Sequence, residues 1–86
     1  MHAVVVNVTI KDVDASAAEL REQVVPRVSG MPGFVAGYWV RLSEDSGTSV
    51  VVWETEEAAR TAAEQLRAPE SVTLESVQVG EVVASG

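Results

Sequence analysis

The amino-acid sequence predicts an α+β fold in which two helices cover one face of a four-stranded antiparallel sheet. Runs of β-branched residues alternate with stretches of helical periodicity in the order βαββαβ. Valine and alanine far outnumber the two Trp, one Tyr and one Phe, which suits a thin core between a sheet and helices. We expect residues 1–86 to form a single domain.

The first third of the chain predicts a strand and a helix. Ala3–Ile10 is rich in β-branched residues and is typical of a strand. Asp14 or Ser16 is expected to cap the following helix, since Glu19 stands at capping-box spacing from Ser16. Four apolar residues then recur at helical spacing: Ala17, Leu20, Val24 and Val28. Pro26 has no backbone N–H, so we expect a kink late in this helix.

A hairpin and a second helix follow. Phe34–Leu42 and Ser49–Glu54 are predicted strands, joined by a short loop at residues 44–47. Thr55 is expected to cap the second helix, because two glutamates in the first turn complement the positive end of its dipole.

The last predicted strand, Val72–Val83, changes its alternation part of the way along. Its apolar residues shift from even to odd positions, so we expect a bulge near Glu75–Ser76. Right-handed crossovers place both helices on one face of the sheet. The element order is then that of the ferredoxin-like fold.

The sheet contains more apolar residues than one layer of helices can cover. If side chains alternate, the following cannot all face the helices: Val5, Val35, Trp39, Val51, Trp53, Val77 and Val79. Monomers rarely expose so large an apolar face, so we expect a second copy to cover it in a two-fold homodimer. Trp39 and Trp53 are expected on this dimerising face, and Tyr38 is expected beneath a helix.

Charge and composition exclude several classes of function. The net charge is −7 and the six Lys and Arg residues are scattered, so neither a nucleic-acid partner nor a membrane surface is expected. Without cysteine the chain has no disulfides or thiolate metal sites. No apolar run is long enough to span a bilayer and no signal segment is predicted, so we expect a cytoplasmic protein.

Three segments together resemble a known family. A proline-bearing helix leads into Pro32-Gly33-Phe34, the third strand passes into the second helix through Val-Val-Trp53-Glu-Thr-Glu-Glu-Ala58, and the last strand contains Val77-Gln-Val-Gly-Glu-Val82. In this order they resemble the antibiotic-biosynthesis-monooxygenase-like domains of the dimeric α/β barrel superfamily. The resemblance implies two sheets packed into a barrel, with a ligand pocket. Some members oxygenate aromatic polyketides or quinol-like substrates without metal or flavin, others degrade haem, and many have no known activity.

The resemblance also implies candidate site residues. Haem-degrading members use an asparagine, a tryptophan and an iron-binding histidine from the second half of the chain. Asn7 and Trp53 match the first two in type, but the only histidine is His2, so haem degradation is disfavoured and no metal or other cofactor is expected. Cofactor-free members bind ionisable aromatic substrates through Asn, Trp, Arg and Tyr side chains. The candidate ligand-pocket residues are Asn7, Trp39, Arg41 and Trp53.

Each candidate has a structural alternative. Asn7 can bond a neighbouring loop, Trp53 can be interface core, and Arg41 can pair with a carboxylate across the dimer. We expect a homodimer that binds a small aromatic or apolar ligand, either as a cofactor-independent monooxygenase or as a binder only. The alternative is a non-catalytic domain whose sheet face serves dimerisation or binding of a protein partner.

Overall fold

In the computed structural model, which describes residues 1–86, the elements follow the predicted order. The strands are β1 (His2–Ile10), β2 (Phe34–Arg41), β3 (Ser46–Trp53) and β4 (Val72–Glu81). The first helix comprises α1 (Val13–Glu19), a π-helical turn (Leu20–Val24) and α2 (Val25–Ser29), and the second helix is α3 (Glu56–Glu64). None of these helices has the length and apolar composition needed to cross a membrane.

The four strands form one antiparallel sheet in the order β2-β3-β1-β4, which confirms the ferredoxin-like fold. The predicted bulge in β4 is confirmed as well. The pairing register of β1 and β4 shifts between Asn7 and Val8, so Glu75 is an extra residue of β4 with no residue of β1 paired to it in the ladder. The Glu75 carboxylate instead accepts a hydrogen bond from the Thr9 hydroxyl (2.8 Å).

The first helix begins earlier than predicted. Its cap is Asp12, whose carboxylate accepts the backbone N–H of Ala15 at 3.0 Å. The predicted caps, Asp14 and Ser16, lie inside the helix, and Ser16 is buried. The capping-box spacing was misleading, because an earlier acidic residue is already in position to take up the free N–H groups.

The irregularity expected at Pro26 takes the form of the π-helical turn that directly precedes it. The Val25 N–H donates to the carbonyl of Leu20, five residues earlier, rather than to a carbonyl four residues earlier. Since Pro26 cannot donate a hydrogen bond, the wider turn lets the helix continue past it. The second helix begins as predicted, with the Thr55 hydroxyl accepting the N–H of Ala58 at 3.1 Å.

The buried core lies between α3 and the sheet. It consists of Val4, Val6, Val51, Trp53 and Ala59. The Trp53 side chain is 1% exposed, and Phe34 meets it edge-on with ring centroids 5.8 Å apart. Because the packed positions of α3 are alanines, the helix leaves a space that a large ring fills.

The prediction that Trp39 and Trp53 lie on a dimerising face is wrong. Both lie on the helix-covered face, where Trp39 packs against the buried core. Tyr38, expected beneath a helix, is 65% exposed on the opposite face. Alternation fixes which residues share a face, but the packing of the helices decides which of the two faces is buried.

The opposite face of the sheet carries no helix, and we call it the open face. Across three strands, Val5 is paired with Val50 and Val50 with Tyr38. The next row pairs Ala36 with Val52. The centre of the open face is therefore apolar.

Candidate functional site

A cavity of about 380 Å³ separates the first helix from the sheet, and we call it the first chamber. Its walls are mainly apolar and include Val6, Val8, Ile10, Val13, Leu20, Val24, Leu66, Val72 and Leu74. Residues with short side chains form part of the lining: Ser16 and Ala17 on α1, and Gly47 and Ser49 on β3. Its volume falls within the range of small-molecule sites.

A second chamber of about 200 Å³ lies further along the same face of the sheet. Val28, Met31 and Trp53 are among its lining residues. It shares five lining residues with the first chamber: Val6, Val24, Trp39, Ser49 and Leu66. The two chambers therefore adjoin each other.

Two arginines supply the charge of the first chamber. Arg41, at the end of β2, and Arg67, just beyond α3, both line it. The ion pairs of the structure join Glu56 to His2 and to Arg60, so neither cavity arginine has an acidic partner. Arg67 donates one hydrogen bond, to the backbone carbonyl of Leu66 (2.9 Å). Both guanidinium groups keep free donors for a ligand.

The structure brings three of the four predicted site residues to the chambers. Trp39 and Arg41 line the first chamber, and Trp39 and Trp53 line the second. Asn7 lines neither, because it lies on the open face, where its side-chain amide donates to the Ser76 hydroxyl (3.0 Å). The expected pocket beside both Asn7 and Trp53 is therefore absent, and the whole sheet separates these two residues.

Sequence analysis missed Arg67 and the small residues of α1. Arg67 stood out only as one of six scattered basic residues. The one signal for it was its place between the end of α3 and Pro69, where the chain turns back towards the sheet. Ser16 was assigned to capping rather than to the wall of the first chamber, which needs a small side chain there.

Comparison with known proteins gives a match of fold. No family model matches the chain, and no curated protein matches it. Solved structures do match it, and three of them are of the haem-degrading protein MhuD. An arginine-to-serine mutant with two manganese protoporphyrin IX molecules per active site is 22% identical, with a TM-score of 0.66 and coverage of 100% of this chain and 98% of that one.

The other two structures are of the protein from Mycobacterium tuberculosis. One holds two haems in its active site and is 24% identical, with a TM-score of 0.56 over 96% of this chain and 98% of that one. The other is haem-free, with cleaved protein, and is 25% identical, with a TM-score of 0.56 over 100% of this chain and 99% of that one. At this level of identity the likeness establishes a shared fold along the whole chain.

Proposed function

We propose that this chain, which has the antibiotic-biosynthesis-monooxygenase-like fold of the dimeric α/β barrels, binds a small organic anion in its first chamber. The ligand has an apolar or aromatic body and one ionised carboxylate or phenolate. One observation carries this proposal. Two arginines without acidic partners, Arg41 and Arg67, line an apolar cavity in a protein whose net charge is −7.

The walls and the arginines have separate roles in binding. Apolar walls favour the ligand body by roughly 25 cal/mol for each Å² that leaves water. A guanidinium group presents donors in a planar fork that matches a carboxylate. Both arginines are exposed at the cavity edge, so each is expected to add only about 1 kcal/mol to binding. The chamber walls therefore dominate affinity, and the arginines select for negative charge.

Haem, which one of the MhuD structures holds, does not fit the donor set of this chain. The lining residues of the two chambers include no histidine, cysteine or tyrosine to bind iron, and Met31 of the second chamber has no histidine to complete a Met/His ligand pair. His2 lies outside both chambers, with its Nε2 atom 3.7 Å from the Glu56 carboxylate. The guanidinium groups of Arg41 and Arg67 can bind the carboxylates of many anions, but no residue of the first chamber can bind the iron of a haem.

The first chamber also lacks a general base. Its lining residues include no Asp, Glu or His that could take a proton from a bound substrate. Cofactor-free oxygenation in this chamber would therefore need a substrate that ionises on its own, with Arg41 and Arg67 favouring the ionised form. Binding of a ready-made anion is the function that the residues support most directly.

We also propose that the chain forms a homodimer through the open face. Val5, Val50 and Tyr38 form an apolar row across three strands, and no helix covers them. A second copy supplies the same row, so that two sheets pack face to face about a two-fold axis. The open face then serves assembly, whereas the ligand lies on the helix side of each sheet.

The test of ligand binding compares charged and neutral forms of the same compounds. Isothermal titration with octanoate and 2-naphthoate, against octanamide and 2-naphthamide, isolates the carboxylate. We expect the acids to bind more tightly, and Arg41→Gln or Arg67→Gln to weaken acid binding about fivefold. Arg60→Gln is the matched control, because Arg60 pairs with Glu56 and lines neither chamber. Equal affinity for acids and amides in the wild type would overturn the proposed function.

A further inference from the structure

The two chambers form one elongated trough along β1. Ile10 and Val8 line the first chamber, Val4 lines the second, and Val6 lines both. At about 3.3 Å per residue, the distance along the strand from Ile10 to Val4 is about 20 Å. Arg41 and Arg67 both line the first chamber, whereas Arg27 alone supplies charge in the second. A ligand that uses the whole trough is therefore long, and the greater positive charge lies at the first-chamber end.

Trp39 stands at the boundary between the chambers. It is the only aromatic residue that lines both of them. Its outer ring lies directly over Gly37, because a Cβ added to Gly37 would lie 2.8 Å and 2.9 Å from ring atoms Cη2 and Cζ3. Glycine is thus what allows the ring to lie this close to the strand.

We propose that Trp39, seated on Gly37, determines how long a ligand the trough accepts, and that the ligands are elongated amphipathic monocarboxylates. This inference rests on the proposed anion-binding function. A short chain occupies the first chamber with its carboxylate near Arg41 and Arg67. A long chain reaches the second chamber only past the Trp39 ring.

The volumes of the chambers determine which ligand chains fit the first chamber alone and which need both chambers. Each non-hydrogen atom of an alkanoate, with its hydrogens, is comparable in size to a water molecule, which occupies roughly 30 Å³ in the liquid. Octanoate then needs roughly 300 Å³, and the first chamber of about 380 Å³ holds it. Hexadecanoate needs roughly 540 Å³, which exceeds the first chamber but not the two chambers together.

The experiment measures the affinity ratio of hexadecanoate to octanoate by titration below their micelle-forming concentrations. Trp39→Ala removes the ring at the boundary between the two chambers, and we expect this change to raise the affinity ratio on the order of tenfold. Gly37→Ala lifts the ring off the strand and into the passage, so we expect the ratio to fall. Leu42→Ala is the control, since this large apolar residue is 62% exposed, lies beyond the end of β2 and lines neither chamber.

The outcomes separate the two proposals. If neither acid binds the wild-type protein, the proposed function fails, and this inference fails with it. If octanoate binds but the ratio is the same in the wild type, Trp39→Ala and Gly37→Ala, only the role of Trp39 is overturned. Opposite changes of the ratio in the two variants, with the ratio unchanged in Leu42→Ala, support it. If Trp39→Ala does not fold, Trp39→Phe replaces it in the experiment. This variant keeps an aromatic residue at position 39, and its affinity ratio is expected to lie between those of the wild type and Trp39→Ala.

Discussion

Replacing Gly33 by alanine is expected to weaken the fold strongly, although the change adds only one methyl group. Gly33 has a φ of 86°, a backbone conformation that favours glycine. Its added Cβ would lie 2.9 Å from the Cβ of Ala58 on α3. Its carbonyl accepts the Glu54 N–H at 2.8 Å, which ties the turn to the end of β3. The turn therefore has little freedom to move away from α3.

The expected cost combines two effects. A non-glycine residue in the left-handed region costs about 1–3 kcal/mol. Two carbon atoms prefer a separation of about 3.5–4.0 Å, and forcing a methyl group into a packed site costs about 1–3 kcal/mol. Ala58 has no side-chain torsion with which to avoid the contact, so the backbone must shift. We expect a total loss of about 2–6 kcal/mol, against a global stability on the order of 4–13 kcal/mol for a chain of this length.

Urea unfolding followed by circular dichroism measures this loss as a lower midpoint with an unchanged slope. Gly80→Ala is the matched control, because its added Cβ meets nothing within 4 Å and Gly80 has no positive φ. It is expected to change stability by less than about 0.5 kcal/mol. A double-mutant cycle with Ala58→Gly isolates the methyl contact. A loss in Gly33→Ala no larger than in Gly80→Ala would refute the reasoning.

Three further predictions address the cap, the assembly and the charge of the site. Asp12→Ala is expected to lower the free energy of unfolding by about 1 kcal/mol, since the Ala15 N–H loses its acceptor. Urea unfolding measures this loss, and Asp14→Ala, inside the helix, is the control. An equal loss of stability in both variants would contradict the assignment of Asp12 as the cap. Val50→Lys places a charge at the centre of the open face and is expected to turn the proposed dimer into a monomer in analytical ultracentrifugation at micromolar concentration. A monomeric wild-type protein would disprove the proposed dimer. Octanoate affinity is expected to fall several-fold between low salt and about 1 M salt, because the screening length shortens from about 10 Å at 0.1 M to about 3 Å at 1 M. Octanamide has no charge, and its affinity should show no such fall in the same titration.

The amino-acid sequence by itself determined the order and type of the elements. Local rules were sufficient for this, because β-branched runs, helical spacing and caps depend on near neighbours along the chain. The shift in alternation near Glu75 correctly placed the bulge of β4, and Thr55 was correctly identified as a cap. The position of Asp12 as the first cap was missed, because two later residues offered a competing pattern.

The tertiary structure alone decided which face of the sheet is buried and which residues meet. A period of two fixes which residues of one strand share a face, but it does not say whether the face that carries Trp39 or Trp53 meets helices or a second sheet. The alanine-rich α3 settles this by leaving room for the Trp53 ring on its own side. Arg41 and Arg67 are far apart in the chain, and the tertiary fold brings both to the first chamber. Asn7, one of the four candidate site residues, lies across the sheet from that chamber, since a strand residue of its parity points to the open face.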